Sequence, residues 1–158
     1  MSEKYTLSVL VENHFGVLAR VSGLISARAF NIDSLTVSTT EDPTISRMTI
    51  VVDADAAKLE QVKNQLNRLI DVIEVQDLKE GQYLDRELLL ARVNLDGDVR
   101  AGLEAIAKQF GATIVDATDR SVVIQAAGDT KTLDRLVERL RTHGITKLVR
   151  TGRVALEK

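Results

Sequence analysis

The order of its apolar patterns constrains this 158-residue chain more than any single residue does. A period of two marks a strand with one buried face, and a period near 3.6 marks a helix with one buried stripe. Residues 5–11, with the run Leu7-Ser8-Val9-Leu10-Val11, read as a strand. Residues 16–29 follow as a helix, carrying Val17, Leu18, Val21, Leu24 and Ile25 on one side. Strands over 32–40 and 45–53 form a hairpin around Glu41-Asp42-Pro43-Thr44, where the chain's single proline sits. Asp53-Ala54-Asp55 opens a helix over 55–69 with a stripe of Leu59, Val62, Leu66, Leu69 and Ile70, and Val72, Ile73 and Val75 make a fourth strand. This order, βαββαβ, predicts a split pair of βαβ units with both helices on one face of an antiparallel sheet.

The plan then repeats. Leu88–Val93 reads as a strand. Asp96-Gly97-Asp98 starts a helix bearing Val99, Leu103, Ile106 and Phe110, ended by Gly111. A hairpin covers 112–118 and 121–127. Asp129 or Thr130 caps a helix carrying Leu133, Leu136, Val137 and Leu140, and 145–151 is the last strand. Residues 79–86 interrupt the periodicity, so the expected domains are 1–78 and 87–158 with 79–86 as linker. A mild charge shift fits two domains: residues 1–80 hold 8 Lys+Arg against 12 Asp+Glu, and 81–158 hold 13 against 11.

Composition excludes several functions. A formal charge of −2 gives nucleic acid no global attraction, and 3% aromatics leave few stacking platforms. No cysteine is present, which rules out disulfides, thiolate metal sites and a thiol nucleophile. No apolar run approaches the roughly 20 residues of a membrane helix. The first residues lead into a strand rather than a secretory signal, so a cytoplasmic protein without membrane or nucleic-acid partners is expected.

Chemistry-bearing motifs are scarce. His14 and His143 stand apart from other ligand types at metal spacing, and no nucleophile elbow, phosphate loop or dinucleotide fingerprint occurs. No catalytic residue and no metal site are assigned. Asp53 and Asp55 fit helix capping better than acid–base work, and Arg135, Arg139 and Arg141 fit a solvated helix face. Gly23, inside the first helix, is read as a site of close packing. Asn31 is read as the left-handed residue that ends this helix.

One turn stands out. Glu12-Asn13-His14-Phe15-Gly16 joins the first strand to the first helix, aiming backbone N–H groups at one point, while Gly16 permits close approach and Asn13 adds a donor and an acceptor. The arrangement suits a small carboxylate, and equally a plain helix cap at a tight turn. The equivalent turn in the second half, Asn94-Leu95-Asp96-Gly97-Asp98, holds two carboxylates that would repel an anion.

Three segments carry a resemblance: Leu7 to Asn13 with Gly16-Val17-Leu18 and Arg20-Val21; Asn31-Ile32-Asp33-Ser34-Leu35-Thr36-Val37; and Asp42-Pro43-Thr44-Ile45-Ser46-Arg47-Met48-Thr49-Ile50. In register within about 50 residues, they resemble the small regulatory subunits of acetohydroxyacid synthase (acetolactate synthase), whose N-terminal half is an ACT domain. The resemblance continues through Leu69-Ile70-Asp71-Val72 and Arg86-Glu87-Leu88, then weakens. It implies an α+β fold of two ferredoxin-like βαββαβ domains in tandem, the first an ACT domain for effector binding and dimerisation, the second a regulatory domain. It also implies a non-catalytic homodimer that activates a catalytic large subunit and mediates feedback inhibition by branched-chain amino acids, chiefly valine. Thiamine diphosphate, Mg²⁺ and FAD are implied on that partner and no cofactor on this chain. The implied effector site takes Asn13 and the backbone of Gly16, Val17 and Leu18 from one chain, and Asn31 and Ile32 from the other. The alternative is a free-standing ACT-domain amino-acid sensor acting on another enzyme or a transcription factor. A hydrolase of the acylphosphatase type is disfavoured, because Arg20 lies in the helix rather than in the turn.

Overall fold

The computed structural model describes residues 3–158 and divides them into two compact units, 3–84 with 153–158, and 85–152. In the first unit, strands β1 (Glu3–Glu12), β2 (Asn31–Thr39), β3 (Ile45–Ala54) and β4 (Val72–Leu78) form an antiparallel sheet in the order β2-β3-β1-β4. Helices α1 (Val17–Ala27) and α2 (Ala56–Leu66) supply the cover. The alternation in sequence becomes a face: Leu7, Val9 and Val11 of β1 and Met48, Ile50 and Val52 of β3 share one core with Val17, Val21 and Ile25 of α1 and Leu59, Val62 and Leu66 of α2.

The second unit repeats the plan with β5 (Tyr83–Asn94), α3 (Arg100–Gln109), β6 (Thr113–Ala117), β7 (Ser121–Gly128), α4 (Thr130–Arg141) and β8 (Ile145–Arg150), its sheet ordered β6-β7-β5-β8. Leu89, Ala91 and Val93 face Val122, Ile124 and Ala126 and pack with Leu103, Ile106, Leu133, Leu136 and Leu140. The expected fold class, two ferredoxin-like βαββαβ units in tandem, is the one observed. Among the described residues no helix is long and apolar enough to cross a membrane.

Several local expectations are corrected. Tyr83 to Arg86 already belong to β5. Beyond β8 the chain forms a further strand, β9 (Val154–Glu157), which four residues of weak pattern did not announce. β9 pairs with β5, and the tail from Arg153 groups with the first unit. The Arg153 carbonyl accepts from Thr36 Oγ1, its guanidinium donates to Thr6 Oγ1 and Tyr83 Oη, Gln76 donates to Glu157, and the Lys158 amide donates to the Gln82 carbonyl. Thr6 and Ser8 lie on the β1 face turned away from the helices and are nonetheless buried. Ser8 is satisfied by Arg47 and Thr6 by Arg153, as buried hydroxyls require.

Helix α2 stops at Leu66 and closes in tight turns, so Ile70, expected in its stripe, is 94% exposed. Gly23 has no neighbour that a Cβ would meet within 4 Å, so close packing within the chain does not explain it. The left-handed residue after α1 is Ala29 at φ 59, not Asn31, which has already entered β2.

That position yields a prediction. A left-handed non-glycine residue costs roughly 1–2 kcal/mol, partly offset because glycine loses more entropy on folding. Ala29→Gly is expected to raise stability by about 0.5–1 kcal/mol in urea unfolding at fixed protein concentration. A lower midpoint would contradict the assignment.

Helices α2 and α4 are capped by acids: Asp55 accepts from the Lys58 amide at 2.9 Å and Asp129 from the Thr132 amide at 2.8 Å. The Thr132 backbone N–H, then its hydroxyl, hold the Asp129 carboxyl below its ordinary value. A depressed native pKa contributes stability above the unfolded value near 3.8, and that contribution is lost as pH falls through the lower native value. Asp129→Ala should therefore cost about 1 kcal/mol at neutral pH. The deficit should shrink in acid, while Asp129→Asn keeps the cap and stays near wild type. Parallel melting curves at pH 7 and pH 3 test this.

Candidate functional site

The turn after β1 is held from two sides. The Asn13 amide N–H donates to the Thr44 carbonyl at 2.7 Å, and its Nδ2 donates to the Pro43 carbonyl at 3.0 Å. The hairpin tip thus grips the turn, and the tip is itself fixed by Asp42, whose carboxylate accepts from both the amide and the hydroxyl of Thr44. Those two bonds, the hydroxyl first, hold the Asp42 carboxyl below its ordinary range. On the other side the Glu12 amide donates to the Asp71 carbonyl at 2.9 Å.

Gly16 occupies the N-cap position of α1 at φ 80, a left-handed conformation that L side chains rarely adopt. No side chain caps α1, and no acidic residue lies in its first turn. The first bond that closes the helix runs from the Arg20 amide to the Gly16 carbonyl, and among the described residues the amides of Val17 and Leu18 find no hydrogen-bond partner. α1 therefore differs from α2 and α4: its N-terminal N–H groups are left without an anionic cap, and they attract one. The Val17 side chain is buried in the core, so it contributes its backbone; Leu18 is 43% exposed.

Beside the turn sits a charged latch that sequence reading did not anticipate. Arg20 Nε and Nη2 both donate to Asp71 Oδ2, at 2.8 and 2.5 Å. His14 Nε2 lies 3.2 Å from Asp71 Oδ1 and 2.9 Å from Glu12 Oε2. Asp71 is buried, and a buried carboxylate requires such partners. Glu12, His14 and Asp71 bring one ligand atom each to within 4.8 Å of one another. A cation there would have to displace the hydrogen bond between His14 Nε2 and Glu12 and compete with Arg20 for Asp71. The pairing joins positions 51 residues apart, and the visible hint was that Arg20 and Asp71 both fall in the segments that carry the family resemblance.

Asn31 and Ile32 are not brought to this turn within one chain. Glu12 pairs with Ile45 at one end of β3 and Asn31 with Asp53 at the other. Eight residues at about 3.4 Å each separate those ends by about 27 Å. The Asn31 side chain donates to Asp33 Oδ1 at 3.1 Å, and Ile32 packs against the first core.

Two linked βαββαβ units, the first with an uncapped, glycine-led helix N-terminus, define a protein of the tandem ferredoxin-like class. Residues 7–74 match the family described as the AHAS small subunit-like ACT domain, and residues 86–158 match the small subunit of acetolactate synthase. The chain is 46% identical over 153 residues to the probable acetolactate synthase small subunit of Archaeoglobus fulgidus, covering 97% of this chain and 96% of that one. It is 43% identical to the acetolactate synthase small subunit of Haemophilus influenzae, over 96% and 94% of the two chains. The crystal structure of the acetolactate synthase small subunit from Thermotoga maritima superposes with a TM-score of 0.90 at 28% identity, covering 99% of this chain and 98% of that chain. The chain belongs to the family of acetolactate synthase small subunits, and its first unit is an ACT domain.

Gly16→Ala tests the geometry of the turn. The added Cβ would lie 2.9 Å from Arg20 Nη1 in a backbone conformation unfavourable to alanine. We expect a loss of about 1 kcal/mol or more in chemical unfolding. An unchanged stability would mean that Gly16 is not held in the left-handed region.

Proposed function

We propose that this chain is the non-catalytic regulatory subunit of acetolactate synthase. It binds the catalytic large subunit, raises its activity and mediates feedback inhibition by branched-chain amino acids, chiefly valine. In this reading thiamine diphosphate, Mg²⁺ and FAD reside on the catalytic partner, this chain holds no cofactor of its own, and the complex works in the cytoplasm. The observation that carries the effector site is the uncapped head of α1, where the Val17 and Leu18 amides follow Gly16 with no acidic residue in the first turn of the helix. An α-carboxylate completes such an N-terminus.

A second copy of the chain supplies the rest of the site. Among the described residues strand β2 is a sheet edge paired with β3 alone, and an open edge invites another strand. Antiparallel pairing of two β2 strands about Leu35 sets Asn31 of one copy opposite Thr39 of the other. Thr39 pairs with Ser46 and Ser46 with Val11, so Asn31 and Ile32 of the second copy arrive at the end of the sheet that bears the Asn13–Gly16 turn. Gly23, open to solvent in one chain, fits a helix that a second copy approaches closely. A site shared by two chains links ligand binding to interface geometry, because a ligand shifts only those states that it binds differently.

Calorimetric titration of the chain with valine, against glutamate and acetyl phosphate, tests the site, followed by the same titration and an inhibition assay on the complex with the large subunit. Saturable binding of valine, weakened in Asn13→Ala, is expected. Because Gly16→Ala carries the backbone strain without the charge, Gly16→Asp must lose more valine response than Gly16→Ala. Equal responses in those two variants would overturn the carboxylate assignment, and a chain that fails to activate the large subunit would overturn the regulatory reading.

A further inference from the structure

We propose a second ligand site in the first unit, independent of the valine reading, at which Arg28 and Arg68 bind a phosphate-bearing small molecule. The two arginines line an open cavity of about 280 Å³ together with Gln61, Asn64 and Gln65. Gln61, Asn64, Gln65 and Arg68 follow the spacing i, i+3, i+4, i+7, which places them along one side of α2 and the turn that ends it. The core stripe of that helix, Leu59, Val62 and Leu66, lies on another side. Arg28 comes from the C-terminal cap position of α1.

The pairing of charges in this part of the chain makes the cavity unusual. Residues 1–80 carry eight Lys and Arg against twelve Asp and Glu, so carboxylates are in excess. Lys4, Arg20, Lys58, Lys63 and Lys79 each reach one, and Arg47 donates to Ser8. Among the described residues Arg28 and Arg68 reach none, and both open onto the same cavity. Among the described residues none of the five lining side chains makes a hydrogen bond or ion pair, and none of the five is acidic. A helix dipole favours each arginine at its own C-terminal end. It does not account for two guanidinium groups and three carboxamides converging with their donors unused.

The chemistry matches an oxyanion with several acceptor oxygens. A guanidinium offers planar, paired N–H donors that fit phosphate, and two of them neutralise its charge. The carboxamides add donors for further oxygens and acceptors for hydroxyl or amine groups on the remainder of the molecule. The cavity has room for a phosphate ester beyond the phosphate itself.

Titration of the ¹⁵N-labelled full chain with inorganic phosphate and then pyrophosphate, at ionic strength held constant with chloride, tests the site. The expected result is saturable shifts of the side-chain amides of Gln61, Asn64 and Gln65, with affinity falling at least about tenfold in both Arg28→Gln and Arg68→Gln. Both arginines are exposed, so the variants should keep the wild-type melting temperature, and either one alone suffices for the comparison. Shifts that only follow ionic strength, or an affinity unchanged in a folded variant, would overturn the proposal. Valine binding plays no part in either outcome.

Discussion

Strand β1 is hydrogen-bonded on both sides, to β3 over its whole length and to β4 over most of it, and the first unit depends on that double pairing. Its residues Leu7, Val9 and Val11 are at most 1% exposed, and each must point toward the helices. A slip of one residue would carry all three to the opposite face, where Thr6 and Ser8 stand. The register therefore determines which hydroxyls meet Arg47 and Arg153 and where β1 ends. Because β1 ends at Glu12, the turn, Gly16 and the head of α1 follow at a fixed place on the rim of the sheet. Strand β5 plays the same central part in the second unit, between β7 and β8.

Much of this architecture is legible in the sequence because burial is periodic. The alternation in 5–11 and 45–53 and the stripes of the four helices translate directly into two cores. What escaped reading lacks a periodic signal. Ile70 extends the α2 stripe on paper, yet the helix has already closed at Leu66 and the residue projects into solvent. Ala29 gives no hint of a left-handed backbone, since alanine is a helix former and the neighbouring Asn31 is the more obvious candidate. The tail from Arg153 takes its place from strand pairing of β9 with β5 and from bonds to the hydroxyls of Thr6, Thr36 and Tyr83, an arrangement that no local window contains.

The candidate site divides in the same way. That a glycine turn leads into α1 is visible in sequence; that α1 alone of the helices in its unit lacks an acidic cap emerges from comparing their N-termini in three dimensions. His14 reads as an idle surface histidine until Asp71 is found beside it. The distance between the turn and Asn31 comes from sheet register. It makes the two halves of the implied site incompatible within one chain and reconcilable across a pair of β2 edges.

The placement of β9 bears on how the protein is made. The chain leaves the first unit after Leu84 and re-enters it at Arg153, so the second unit is an insertion within the first. On the ribosome, residues 3–84 emerge early, but the Arg153 segment that satisfies Thr6 on the outer face of β1 is synthesised only after the whole second unit. The nascent first unit must wait with that face unfinished while all of the second is translated and folds.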